Sequence, residues 1–184
     1  SFPLKTRTGA LPPLAKFPGN FGIVELKEGG LLPVTLRNVE ASLKTKQLAL
    51  PGTHRFSEQR LTEDADVIAA MLALEKFEQQ TQKVKVVRDG QTEDYTDPYY
   101  ARELSFLAKR PGVSQQELPK PGGSSEFEVI GIPLVKPGYH IVEIQSQLLG
   151  SALLATPKPM YVRAAALVTN LAVHLKTGKD NALV

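Results

Sequence analysis

Hydrophobic and polar positions alternate through LLPVTLRNVE (31–40), where Val34 and Leu36 are interleaved with Thr35 and Arg37. A period of two places one set of side chains on one face of an extended chain, so this run predicts a half-buried strand. Pro33 has no N–H to give a ladder and is expected near the strand start or on an edge. FGIVEL (21–26) reads as a strand before it, with Lys27-Glu28-Gly29-Gly30 as the turn between them. The second half repeats the pattern: EFEVIGIPL (126–134), a Lys136-Pro137-Gly138 turn, YHIVEIQSQLL (139–149), a loop of small residues, then MYVRAAALV (160–168). Residues 43–50, VKVV (84–87) and ARELSFL (101–107) predict shorter strands. In the tail, Leu171, Val173 and Leu175 alternate with Ala172, His174 and Lys176, and TGKDN supplies a turn, as a hairpin opening requires. A strand left open at 171–175 is expected to pair with its own domain or a second molecule.

One stretch has a different period. From Thr62 to Gln82 the apolar residues Val67, Ile68, Met71, Leu72, Leu74 and Phe77 predict an amphipathic helix packed on its own sheet. Thr62 is the expected N-cap, Glu63, Asp64 and Asp66 put negative charge near the helix start, and four alanines raise propensity. RDGQTEDYTDP (88–98) reads as an acidic, turn-rich loop, and KRPGVSQQELPKPGGSS (109–125) as a long loop without periodicity. Residues 1–19 are proline-rich and predict an extended connector. About eight strands with one early helix, and no regular strand–helix alternation, predict a mainly β antiparallel sandwich of fibronectin or Ig-like type with one inserted α-helix.

Composition narrows the function classes. With 42% hydrophobic residues over 184 positions the chain can bury a real core, and its 14 glycines and 14 prolines suit many turns. It has no cysteine, which removes disulfides, a thiol nucleophile, thiolate metal sites and a cysteine thioester. No apolar run reaches the roughly 18 residues a spanning helix needs, and no signal peptide is visible. A start without Met and an end inside an apolar run lead us to expect a piece of a longer chain. Residues 1–60 hold nine Lys and Arg against four Asp and Glu, whereas residues 61–104 hold five against ten. That acidic middle, with 7% aromatics, argues against a nucleic-acid surface.

Candidate chemistry is sparse. His54, His140 and His174 lack the short-range spacing of a metal site. Ser124, Ser125, Ser146 and Ser151 have no G-x-S-x-G elbow around them. Asp89, Glu93, Asp94 and Asp97 are the best candidate cation ligands, but the order of a calcium loop is missing. The Gly29-Gly30 and Gly122-Gly123 pairs follow neither phosphate-binding pattern. No catalytic, cofactor-binding or metal residue is assigned, no cofactor is expected, and the chain is not expected to be an enzyme.

The segments FGIVELKEGGLLPVTLRNVE, GIPLVKPGYHIVEIQSQLLGSALL and MYVRAAALVTNLAVHLKTGKDNALV resemble the N-terminal part of bacterial α2-macroglobulins. The resemblance covers residues 20–184, and LPPLAKFPGNFGIVE is similar to that family's junction between successive domains. It implies a macroglobulin-like sandwich over residues 20–167 with a helical insertion at about 62–82. Residues 1–19 would be a connector or the end of a preceding domain, and 168–184 the first hairpin of the next. It further implies a structural piece of a periplasmic, inner-membrane-anchored protease trap, whose partners are neighbouring domains of the same chain and, for the whole protein, proteases. Contact with a membrane would come only through a lipid anchor outside this segment. The family's bait segment and Cys-x-Glu-Gln-type thioester motif have no counterpart in these residues. The alternative is an Ig-like binding module of a surface adhesin or carbohydrate-binding protein, using Tyr95, Tyr99 and Tyr100.

Overall fold

Among the described residues, glycine turns at Gly29-Gly30, Gly90 and Gly138 bound several strands. The structure is a computed structural model and describes residues 12–37, 55–88, 90–118, 127–154, 156–171, 176–180 and 182–183. The first part comprises β1 (Leu14–Lys16), β2 (Phe21–Glu25), β3 (Leu31–Arg37), β4 (Arg55–Leu61), α1 (Asp64–Glu78), β5 (Gln82–Arg88) and β6 (Gln91–Asp97). The second comprises β7 (Val113–Glu117), β8 (Phe127–Pro133), β9 (Gly138–Ser146), α2 (Gln147–Leu153), β10 (Met160–Thr169), β11 (Lys176–Thr177) and β12 (Ala182–Leu183). The Lys-Pro-Gly turn between β8 and β9 depends on Gly138, whose φ of +138° suits glycine and whose added Cβ would meet the Leu61 carbonyl oxygen at 2.8 Å.

Two larger sheets result. One is three-stranded, in the order β1-β3-β8; the other is five-stranded, in the order β2-β10-β9-β4-β7. Every neighbouring pair in them is antiparallel except β2 and β10, which run parallel. The expected all-antiparallel arrangement is therefore corrected to a mixed sheet. The cause is local: Pro18 and Gly19 break one extended run, so β1 pairs with β3 while β2 crosses to the other sheet. The inward side chains of both sheets meet in one core, where Val34, Leu36 and Ile132 face Phe56, Val142 and Ile144. Pro33 lies in β3 beyond the last residue paired with β1, which satisfies its missing N–H.

The five-stranded sheet is covered on its other face as well. There Ala70 of α1, Phe106, Leu107, Tyr139, Ile141 and Ala165 form a second cluster. β9 is consequently buried on both faces, and its side chains from Tyr139 to Ile144 are all buried.

Several local expectations change. The helix buries Ala70 fully and Val67, Ala73, Leu74 and Phe77 partly, whereas Ile68, Met71 and Leu72 are 58, 46 and 62% exposed. Apolar residues surround most of α1, so periodicity alone did not choose its buried stripe; the small Ala70 permits the closest approach to the sheet. Thr62 is not the cap: Glu63 takes that position without a side-chain bond. Residues 101–107 are not a strand but a 3₁₀ turn at Tyr100–Glu103 and a loop, started where the Tyr99 amide donates to Asp97 Oδ1. The acidic loop is the β5–β6 hairpin, with Gly90 at φ +79° and Lys85 opposite Asp94. A polar edge strand, β7, occupies part of the expected 109–125 loop and pairs with β4. The end of the 139–149 run is helical, because the Ser146 hydroxyl accepts from the Leu149 amide and caps α2. Lys176–Thr177 and Ala182–Leu183 form the tail hairpin. The expected strand at 43–50 and residues 172–175 lie outside the described residues.

The buried stripe of α1 can be checked by paired substitutions. Ala70→Leu should destabilise by about 1–3 kcal/mol through overpacking. Leu72→Ala should stay within about 0.5 kcal/mol. Urea melts of the two variants distinguish this register from one that buries Leu72.

Candidate functional site

Polar chemistry gathers on the two faces of the central strands. Residue parity along β9 and β10 puts Glu143 and Arg163 on the face toward α1, and they are cross-strand partners. The Arg163 side chain is 5% exposed. Its Nε donates to Glu143 Oε2 at 3.0 Å and one terminal nitrogen donates to Glu78 Oε1 at 2.6 Å. The other donates to the carbonyl oxygens of Ala101 and Leu104, at 3.0 and 2.6 Å. The guanidinium also lies 4.9 Å from the centre of the Phe77 ring. Glu143 accepts in addition from Ser105 Oγ and from the Phe106 amide at 2.8 Å. Sheet, helix and the 101–106 loop thus converge on one ion pair.

A second constellation faces the opposite way. His140 is 1% exposed, and its Nε2 donates to the Lys136 carbonyl at 2.8 Å. Its Nδ1 lies 2.6 Å from Glu58 Oε1, a diagonal neighbour on β4. Gln116 of β7 donates to the other Glu58 oxygen. This chain of bonds ties β9, β4 and β7 to the turn that precedes β9.

Ser105 donates to Glu143, and no histidine contacts it among the described residues. Four of the five N–H donors of Arg163 are committed to Glu143, Glu78 and the Ala101 and Leu104 carbonyls. Surface grooves of about 380, 360 and 440 Å³ are lined by neither His140, Glu58 nor Ser105. The arrangement is a pair of clamps.

Of the residues singled out in the sequence, His140 and Ser146 have structural partners, and Ser151 is exposed on α2. His54, His174, Ser124, Ser125 and Asp89 lie outside the described residues. Glu93 and Asp94 are exposed on β6 and point to opposite faces as strand neighbours. Glu93 and Asp97 are four residues apart along that strand, about 13 Å, so these carboxylates do not converge. No cluster able to hold a metal exists among the described residues. Tyr95 and Tyr99 are exposed, and Arg102 lies 5.0 Å over one face of the Tyr99 ring. Glu58, Glu143 and Arg163 were not picked out from sequence. The only available signal was a charged residue inside an otherwise apolar strand, Glu143 in YHIVEIQS and Arg163 in MYVRAAALV.

Burial pushes the phenol of Tyr139 above its ordinary value, and burial followed by the nearby Glu143 carboxylate does the same for Tyr161. An unfolded tyrosine ionises near pH 10. The folded state holds these protons longer, so their stabilising contribution is full below about pH 10 and is lost as pH rises beyond it. Tyr139→Phe should flatten the fall of urea-melt stability on the alkaline side. Arg163→Met should cost about 3–5 kcal/mol, since Glu143 is left buried without its partner. A double-mutant cycle with Glu143→Gln should return a coupling of about 0.5–3 kcal/mol.

No family model matches the chain, and neither a curated protein nor a solved structure matches it significantly.

Proposed function

We propose that the chain is a structural macroglobulin-like module of an α2-macroglobulin-type, periplasmic protease trap. The observation that carries the reading is the pairing of three strands β1-β3-β8 against five strands β2-β10-β9-β4-β7 around one shared core. We read that layout as the frame of a fibronectin-like sandwich, with α1 and the β5–β6 hairpin inserted between two strands of one sheet. The sequence resemblance over residues 20–184 points the same way. In this reading the module starts by Leu14, because β1 pairs with β3 and Phe17 fills the core. The β11–β12 hairpin opens the next module.

Such a module works by stiffness. Clamped charges on both faces of the central strands fix the angle between the chain entering at β1 and the chain leaving after β10. The 184-residue chain in molar excess should leave protease activity on casein unchanged, while the longer parent protein should capture a protease after being cleaved by it. Strong inhibition by the 184-residue chain would overturn the reading.

A further inference from the structure

β2 ends the five-stranded sheet and, among the described residues, pairs with β10 alone. The Ala165 amide donates to the Asn20 carbonyl at 2.8 Å, which sets the phase of this parallel ladder. In that phase the N–H and C=O of Gly22 and Val24 turn toward β10, and those of Phe21 and Ile23 turn to the open edge. The side chains of Phe21 and Ile23 are 51 and 63% exposed.

A groove lies on each side of this edge. One, of about 380 Å³, runs between β2 and β3 and is lined by Pro18, Val24, Leu31, Leu32 and Pro33. The other, of about 440 Å³, lies between the sheet and α1, lined by Phe21, Met71, Leu72, Tyr139 and Ala165. A strand laid along β2 would send every second side chain into the apolar groove beside α1 and the others toward the first groove, where Glu25 and Glu28 lie, because its side chains repeat with period two. A helix could not use the edge amides and carbonyls.

Charge decides the occupant further. Glu25 and Glu28 line the first groove and Glu75 the second, and no basic side chain pairs with them among the described residues. The one cation lining either groove, Arg163, is held by Glu143 and Glu78. A second copy would bring the same carboxylates to the contact, which like-charge repulsion disfavours. We propose that the β2 edge is a docking site for an extended segment of another polypeptide, apolar at alternate positions and flanked by Lys or Arg, added as a sixth strand. The proposal does not rest on the protease-trap reading.

The probe is a synthetic peptide alternating Val and Thr between pairs of Lys, titrated into the 184-residue chain and followed by NMR and amide exchange. Binding should slow exchange at Phe21 and Ile23. It should weaken at least about tenfold in Ile23→Pro, which removes an edge donor while leaving the amides that face β10. Ile23→Lys should weaken it too, with the native circular dichroism of both variants checked first. Exchanging the Lys pairs for Glu should also lower affinity, and added salt should erase that difference. The proposal is overturned if a peptide of the same composition with its valines grouped binds equally well. It is also overturned if no peptide slows exchange at Phe21 and Ile23. Protection of those amides without peptide overturns it as well, whether in a monomer (the chain covers its own edge) or in a dimer seen by sedimentation.

Discussion

Arg163 and Glu143 carry the outer half of this structure. Desolvating both charges costs several kcal/mol per ion, and their attraction offsets that only with the further hydrogen bonds each makes. Glu143 takes bonds from Ser105 and Phe106, and Arg163 reaches Glu78, Ala101 and Leu104. Around the pair, α1 and the loop from Ala101 to Leu107 settle on the sheet, and Phe77 meets Phe106 edge to face at 5.2 Å. Without the loop, Glu143 would lose two donors; without Arg163, the carbonyls of Ala101 and Leu104 would each lose one. The ionic and apolar contacts fix the same geometry.

That mutual dependence rests on β9. A strand buried on both faces has no solvent side on which to place a charge, so any ionisable residue in it must find a partner. His140 and Glu143 are such residues, three positions apart and therefore on opposite faces. One ties the sheet to β4, β7 and the Lys-Pro-Gly turn; the other ties it to helix and loop. Both faces are locked through a single strand.

The β2 edge, unpaired among the described residues, contrasts with this rigidity. β2 departs from β1 at Pro18-Gly19 and joins the other sheet in parallel, so each sheet gains a strand from one short run. The exchange leaves Phe21 and Ile23 facing outward beside the exposed Met71 and Leu72 of α1. The helix buries its small Ala70 and turns larger residues outward, which shapes the groove beside that edge.

Much of the β framework was legible in the chain. Alternation at Val34 and Leu36, the continuous apolar run of β9, and the glycine turns at residues 29–30 and 138 depend on neighbours in sequence, and the period of a strand is a local property. So is the existence of α1. Edge strand β7 was hidden because its VSQQE stretch pairs through backbone groups, which carry no residue signature. The 3₁₀ turn at Tyr100 and the capping of α2 by Ser146 each depend on a single side-chain bond that composition does not announce. The clamps were least legible of all: Glu143 and Arg163 lie twenty residues apart, and only the β9–β10 register makes them partners. The sequence by itself determined where the chain extends, turns and coils, since those preferences act within a few residues. The tertiary structure alone decided which faces are covered, which charges meet and which edge stays open, since burial and charge pairing act between residues distant in the chain.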